Sequence, residues 1–329
     1  MVAKRLSTET YIQGILAQDR VILSRAITLI ESQAPQDQLL AQEVLQGVAN
    51  QPTNSVRIGI TGVPGVGKST FIEAFGNYIL SKNKKLAVLA IDPSSVRTKG
   101  SIMGDKTRMA TLASQPNAYI RPSPSRGSLG GVAHKTRETI TLLEAAGFEV
   151  IIVETLGVGQ AETAVKNMTD FFLLLMLAGA GDELQGMKRG IMEMADAIAI
   201  NKADGDNLRK AQAAQAEYQN ALHLFPPHEA GWKVPVGICS AITHKGIAEI
   251  WNWIEDYVQL TQKNGYWYKK RQEQRKNALH EHIAQRLQTM FYTHPHVKEQ
   301  INILESQVIQ NQISILQATE QLLSVFLGK

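Results

Sequence analysis

The run Val56-Arg57-Ile58-Gly59-Ile60-Thr61 passes directly into Gly62-Val63-Pro64-Gly65-Val66-Gly67-Lys68-Ser69-Thr70. No other feature narrows so far what this chain can fold into. An apolar strand-like run, then G-x-x-x-x-G-K-[ST], then helical periodicity is a strand–loop–helix unit built around a phosphate. The glycines let backbone N–H groups turn inward, and the helix that follows aims the positive end of its dipole at the same point. In such a loop Lys68 reaches the β- and γ-phosphates and Ser69 offers its hydroxyl to Mg²⁺. The competing reading, a glycine turn capping an ordinary helix, does not account for the strand in front.

The rest of the chain fits that unit. Strand-like runs recur at Lys85–Ile91, Ala118–Arg121, Val150–Val153, Phe171–Leu177, Ala197–Ile200 and Val234–Cys239, separated by helical stretches. Their spacing predicts an α/β fold with a mostly parallel sheet and helices on both faces. Residues 8–33 carry Ile12, Leu16, Leu23, Ile27 and Ile30 near helical spacing, and Pro35 opens a further helical pattern through Leu39, Leu40, Val44 and Leu45. After Lys263 the strands stop, and the tail is helical with an interruption near His294-Pro295. The expected organisation is an N-terminal helical arm (1–52), an α/β domain (53–263) and a C-terminal helical tail (264–329).

Composition excludes several classes. Hydrophobic residues make up 44% of the 329, enough for a sizeable core and too many for a disordered chain. A net charge of +4 from 34 basic and 30 acidic residues is too mild to make nucleic acid the default partner. The single cysteine, Cys239, excludes a disulfide framework or a multi-cysteine metal site. No apolar signal core opens the chain, and the run Phe171–Ala180 is about half a bilayer span. A cytoplasmic protein without membrane insertion is the expectation.

Asn201-Lys202-Ala203-Asp204 follows the apolar run Ala197–Ile200. A carboxylate at its fourth position can accept from guanine N1–H and the exocyclic amine together. Adenine offers neither donor there and would strand the carboxylate. Ser240-Ala241-Ile242, after Val234–Cys239, would add backbone contacts to the base. For Mg²⁺ and the reacting water three carboxylates compete: Asp92 after Lys85–Ile91, Glu154 in Val153-Glu154-Thr155-Leu156-Gly157, and Asp105 in a polar loop. Helix capping is the alternative for each. The glycine pair in Ala178-Gly179-Ala180-Gly181, before Asp182, Gln185 and Lys188, suits a mobile coupling loop. No residue stands out as a built-in arginine finger, Arg121 and Arg126 included, so slow hydrolysis raised by a partner is expected.

Other features read as plain. His280/His282 and His294/His296 alternate, which on a helix points the rings apart. Lys269-Lys270-Arg271 with Arg275-Lys276 reads as a wet helix face, and Trp251, Trp253 and Trp267 as packing residues. In the tail, Val297, Ile301, Leu304, Val308, Ile315 and Leu322 would form an apolar stripe exposed on a monomer, which predicts a two-fold pairing of tails.

The phosphate loop, Asp92-Pro93-Ser94-Ser95, the stretch Gly100–Met109, Val153–Gln160, Gly181–Gly186 and Asn201–Asp204 together resemble the methylmalonyl-CoA mutase-associated GTPases (the MeaB/ArgK type). Members of this family also carry an older label of lysine/arginine/ornithine transport ATPase. The resemblance covers essentially the whole chain and is thinnest in the tail. It implies a P-loop NTPase fold, with helical extensions at both ends, and a homodimer that binds GTP/GDP with Mg²⁺. It also implies a chaperone of the adenosylcobalamin-dependent mutase, gating cofactor loading and protecting the enzyme from inactivation. Leu156 departs from the valine usual in the family. The alternative is a transport-associated ATPase or kinase of the lysine/arginine/ornithine type, against which Asn201–Asp204 argues.

Overall fold

The computed structural model describes residues 5–91, 109–123, 129–155, 160–179 and 189–328. Asp92, Asp105, Asp182, Gln185 and Lys188, and with them Arg126, lie outside the described residues. By chain contacts the protein divides into two compact units, Met1–Gln274 and Arg275–Lys329.

The first unit is built on seven parallel strands: β1 (Val56–Gly62), β2 (Leu86–Ile91), β3 (Ala118–Ser123), β4 (Val150–Thr155), β5 (Phe171–Leu177), β6 (Ala197–Asn201) and β7 (Val236–Ile238). Each falls on a run read from the sequence. The order across the sheet is β3-β2-β4-β1-β5-β6-β7, which the linear sequence does not reveal. The phosphate-loop strand β1 therefore lies in the middle, between β4 and β5. From β1 the chain builds outward through β2 and β3, returns to insert β4, and then crosses to the other side. The carboxyl edge of β1 is thus a topological switch point, where open α/β sheets bind ligands.

Both faces of the sheet are covered, because parallel strands are apolar on both sides. One face packs α4 (Lys68–Ser81) and α10 (Ile247–Lys263) around Phe71, Phe75, Trp251 and Ile254. Phe75 and Trp251 stand 6.2 Å apart, so Trp251 is a core residue as expected. The other face carries α6 (Leu129–Ala145), α7 (Gln160–Lys166) and the N-terminal helices α1 (Thr8–Leu16), α2 (Arg20–Glu31) and α3 (Pro35–Val48). The pattern over 8–33 is broken in the structure: Gln18 adopts a left-handed φ of 64°, and the Asp19 side chain accepts from the N–H groups of Val21 and Ile22 to start α2. The short α5 (Ala110–Ser114) precedes β3, and α8 (Arg189–Met194) and α9 (Leu208–Leu222) pack with β5–β7.

The amino ends of the strands hold a buried charged network that corrects one expectation. Helix α11 (Tyr266–Thr293) begins on this edge, and its Lys270 and Arg271 are not a wet face. Arg271 donates to both oxygens of buried Asp170, at 2.8 and 2.6 Å. Lys270 donates to the Asp170 carbonyl at 2.5 Å and lies 3.7 Å from the Asp196 carboxylate. Asp170 and Asp196 each precede a strand, β5 and β6, where a carboxylate satisfies the first free N–H groups of the ladder. Arg57 N donates to Asp170 at 2.8 Å and Phe172 N to Asp196 at 2.8 Å. Of that basic run, Lys269, Arg275 and Lys276 keep the solvated character read from the sequence.

The second unit comprises the rest of α11 with α12 (Pro295–Ile309) and α13 (Ile315–Leu327). The chain breaks at His294-Pro295 as expected, and again before Ser314, whose hydroxyl caps α13 by accepting from Gln317 N at 3.1 Å. Phe326 of α13 packs 5.4 Å from Phe291 and 5.4 Å from His294. The expected exposed stripe is corrected here. Val297 and Leu304 are buried because α12 packs on α13, whereas Ile315 stays 74% exposed. The apolar face open on this unit is instead Leu279, Ile283, Leu287 and Met290 of α11, spaced four, four and three residues apart. Among the described residues no helix is long and apolar enough to cross a membrane.

Candidate functional site

The loop after β1 takes the shape its glycines allow. Gly65 and Gly67 have φ of 78° and 89°, left-handed values that a side chain would strain. A Cβ on Gly62 would collide with the Leu175 carbonyl of β5. Helix α4 starts at Lys68 with Gly67 as its cap and no side-chain hydrogen bond on its first N–H groups. These donors are left for an anion, which the helix dipole also favours.

Lys68 is buried and bends back over its own loop, donating to the Gly62 carbonyl at 2.8 Å and the Val63 carbonyl at 3.3 Å. Burial lowers its pKa below that of an ordinary lysine, and Glu154 and Glu162 oppose that shift. Ser69 is half-buried in the first turn of α4, next to Thr70 at the surface. Glu154 sits at the carboxyl end of β4, buried, in register with Ile60 of β1 on one side and Ala90 of β2 on the other. One residue on, Thr155 donates to Thr61 at 2.8 Å, which fixes the two strand ends to each other at the mouth of the loop.

The β6 motif is joined to the same loop. Asn201 ends β6 and is buried; its amide donates to the Val66 carbonyl at 2.9 Å. Its oxygen accepts from the Cys239 thiol at 3.6 Å. Burial pushes that thiol up to about 12, so it remains a protonated donor at neutral pH. Lys202 takes a left-handed φ of 59° and donates to the Gly65 carbonyl at 2.8 Å. Two consecutive side chains thus hold the phosphate loop from the far side of β5.

Asp204 follows on the same turn. The buried Ser240 hydroxyl donates to its Oδ2, and Ser240 Oγ itself accepts from Thr243 N at 3.1 Å. The segment Ser240–Ile242 lies beside Asn201–Asp204, since Ala203 N donates to the Cys239 carbonyl at 2.9 Å. Ala241 is buried in the core, whereas Ile242 is 75% exposed. The structure therefore gathers Gly62 to Thr70, Glu154, Asn201, Lys202, Asp204 and Ser240 to Ile242 at one edge of the sheet.

Reading by motif overlooked Glu162, in the first turn of α7 and fully buried. Its sequence signal is a carboxylate on the inward face of a short helix, three residues before the equally buried Val165. It also overlooked Cys239 as a partner of Asn201, which depends on β6 and β7 being neighbours.

Residues 23–296 match the family model described as Methylmalonyl Co-A mutase-associated GTPase MeaB. The probable GTPase Rv1496 of Mycobacterium tuberculosis is 47% identical over 307 residues, covering 93% of this chain and 91% of that protein. The mouse protein named methylmalonic aciduria type A homolog, mitochondrial, is 43% identical over 323 residues, covering 95% of this chain and 78% of that protein. Among solved structures, that of a LAO/AO transport system kinase aligns over 100% of both chains with a TM-score of 0.77 and 34% identity. A phosphate loop at the switch point of a parallel sheet and a match over most of the length lead to one assignment: this chain is a member of the methylmalonyl-CoA mutase-associated GTPase family.

Proposed function

We propose that the protein binds guanine nucleotides at this edge and hydrolyses GTP to GDP and phosphate. In this reading it serves an adenosylcobalamin-dependent methylmalonyl-CoA mutase in the cytoplasm, as a chaperone for cofactor loading and protection. The observation that carries the nucleotide part is the tie between the two loops. Asn201 and Lys202 donate into the phosphate loop while Ser240 orients Asp204, so one frame sets the distance from phosphate to base. The mutase part rests on the family description and on the mouse relative.

The donor set at the loop fits Mg²⁺, a hard ion that takes oxygen ligands and is held by one or two carboxylates together with phosphates. Ser69 and Glu154 would hold it, with Asp92 and Asp105 as further candidates. When bound, the ion neutralises charge developing on the phosphate oxygens. The protein's own part is positional: backbone N–H groups and Lys68 hold the phosphates, and Asp204 holds the base. Asp182, Gln185 and Lys188 are the proposed coupling residues, and replacing Gln185 or Lys188 by alanine should weaken mutase-stimulated turnover more than basal turnover. The exposed stripe Leu279, Ile283, Leu287 and Met290 supports a homodimer joined through the tail.

The test is turnover and affinity with GTP and ATP, on wild-type protein and Lys68→Ala. GTP should be bound and hydrolysed in preference to ATP, and Lys68→Ala should lose binding with an unchanged circular dichroism spectrum. Near-native GTP affinity in Lys68→Ala would refute the phosphate-loop assignment. Hydrolysis that does not respond to an added mutase would refute the client. The relative described as a LAO/AO transport system kinase supports a second reading, an ATP-consuming transport-associated kinase. A preference for ATP would establish it instead.

A further inference from the structure

Glu162 has no role in the chemistry set out above, and its surroundings are unusual. It is 0% exposed, and neither carboxylate oxygen has a hydrogen-bond partner among the described residues. Buried carboxylates in folded proteins are paired or hydrogen-bonded almost without exception, because an unpartnered one forfeits its hydration for nothing. Packing does not explain the choice of residue either, since an apolar side chain of the same size would fill the space without that cost. Two bare acceptor oxygens kept out of water imply donors that arrive with a ligand.

The position says which ligand. Helix α7, which carries Glu162, begins five residues after the end of β4, where Glu154 sits, and packs against β4 and β1. Val165, one turn further on, is buried on the same face. Glu162 acts electrostatically on Lys68, as Glu154 does. Two buried carboxylates, Glu154 and Glu162, thus act on the lysine of the phosphate loop, and of the two Glu162 is the one whose oxygens stand bare. Lys68 does not supply donors to Glu162, because its ammonium is engaged by the Gly62 and Val63 carbonyls. A hydrated divalent cation carried in with the phosphates would bring donors to those oxygens. Mg²⁺ keeps several of its waters, and those polarised O–H groups are the donors that a carboxylate beyond the first ligand shell accepts from.

We infer that Glu162 is a positioning residue for the nucleotide-bound Mg²⁺, its two oxygens accepting from water molecules on the ion. The inference rests on the nucleotide reading above and adds a residue that reading does not contain. Two properties follow that a merely structural glutamate would lack. Removing the charge should raise the Mg²⁺ requirement of the nucleotide complex. Without Mg²⁺ it should leave nucleotide affinity unchanged or tighter, because a charge that repels phosphate is gone.

The experiment measures binding of a fluorescent GDP analogue to the full chain across a MgCl₂ titration and in EDTA. It compares wild type, Glu162→Gln, which keeps the shape and loses the charge, and Glu162→Asp, which keeps the charge and draws the oxygens back by one methylene. Unfolding midpoints of the nucleotide-free proteins are recorded alongside. Both variants should need about ten- to a hundredfold more Mg²⁺ for half-maximal tightening, the usual size of an outer-shell effect on metal affinity. Affinity in EDTA should not fall in either. If Glu162→Gln does not fold, Glu162→Asp decides the matter, its charge and burial being those of the native residue. Mg²⁺ dependence that stays within twofold of wild type in the folded variants would overturn the inference and leave the nucleotide reading standing. Affinity that falls equally with and without Mg²⁺ would also overturn it, placing Glu162 in the scaffold of the loop. Wild-type protein that binds no GDP at any Mg²⁺ concentration would overturn the nucleotide reading, and this inference with it.

Discussion

Replacing Asp204 by asparagine tests base recognition through a detail of the hydrogen bonding. Ser240 Oγ accepts from Thr243 N and donates its proton to Asp204 Oδ2. In Asp204→Asn that proton still needs an acceptor, so the amide must present its oxygen to Ser240. Its NH₂ group is then turned to the base. Guanine brings N1–H and an exocyclic amine, both donors, against this new donor. The two bonds to a charged acceptor, each worth about 1.5–3 kcal/mol net, are weakened or lost together. A total of about 2–4 kcal/mol corresponds to a fall in GTP affinity of roughly 30- to 1000-fold. Xanthine has an oxygen where guanine has the amine, so xanthosine triphosphate should gain affinity in the variant. Calorimetric titration of wild type and Asp204→Asn with GTP, ATP and xanthosine triphosphate measures all three. GTP affinity within about threefold of wild type, or no gain for xanthosine triphosphate, would refute the argument.

The buried network at the opposite edge gives a pH dependence. Burial draws the Lys270 ammonium down to about 8, with Asp196 only partly opposing the shift. An unfolded lysine titrates near 10.4, so between about pH 8 and 10.4 the unfolded chain holds more of this proton, and Lys270 becomes less unfavourable to the fold as pH rises. Wild-type stability relative to Lys270→Met, read by urea unfolding, should therefore move in favour of wild type by roughly 1–3 kcal/mol between pH 7.5 and 10. A flat difference would show that Lys270 titrates as an ordinary lysine. The tail gives the other expectation: Ile283→Asp or Leu287→Asp, each at a half-exposed position, should convert a dimer to a monomer in light scattering while leaving the unfolding midpoint of the monomer nearly unchanged. A full-length wild-type protein already monomeric would remove the dimer.

Local chemistry explains why so much was legible in the sequence. The phosphate loop is a contiguous run whose shape is set by the backbones of its own glycines. Gly65 and Gly67 need left-handed φ wherever they sit, and Lys68 opens its helix regardless of what packs behind it. The seven strands were readable because a parallel sheet covered on both faces demands unbroken apolar runs, from Val56 to Val236, with no partner needed to recognise them. The Asn201–Asp204 motif was readable because its four residues are consecutive.

Other features depend on which segments meet, and the sequence does not record that. The strand order β3-β2-β4-β1-β5-β6-β7 decides that Glu154 borders β1 and that Asn201 reaches the Val66 carbonyl across β5. Lys270 and Arg271 look like surface residues because a basic run has the same letters whether water or Asp170 and Asp196 receive it. Burial is decided by the amino ends of β5 and β6, about seventy to a hundred residues earlier in the chain. Val297 and Leu304 looked free because the pairing of α12 with α13 is tertiary. Glu162 looked like any helical glutamate. The sequence alone determined the conformation of the phosphate loop and the class of the fold, because these follow from the conformational limits and apolarity of neighbouring residues. Only the tertiary structure decided which charges lose their water, because desolvation is a property of everything packed around a group.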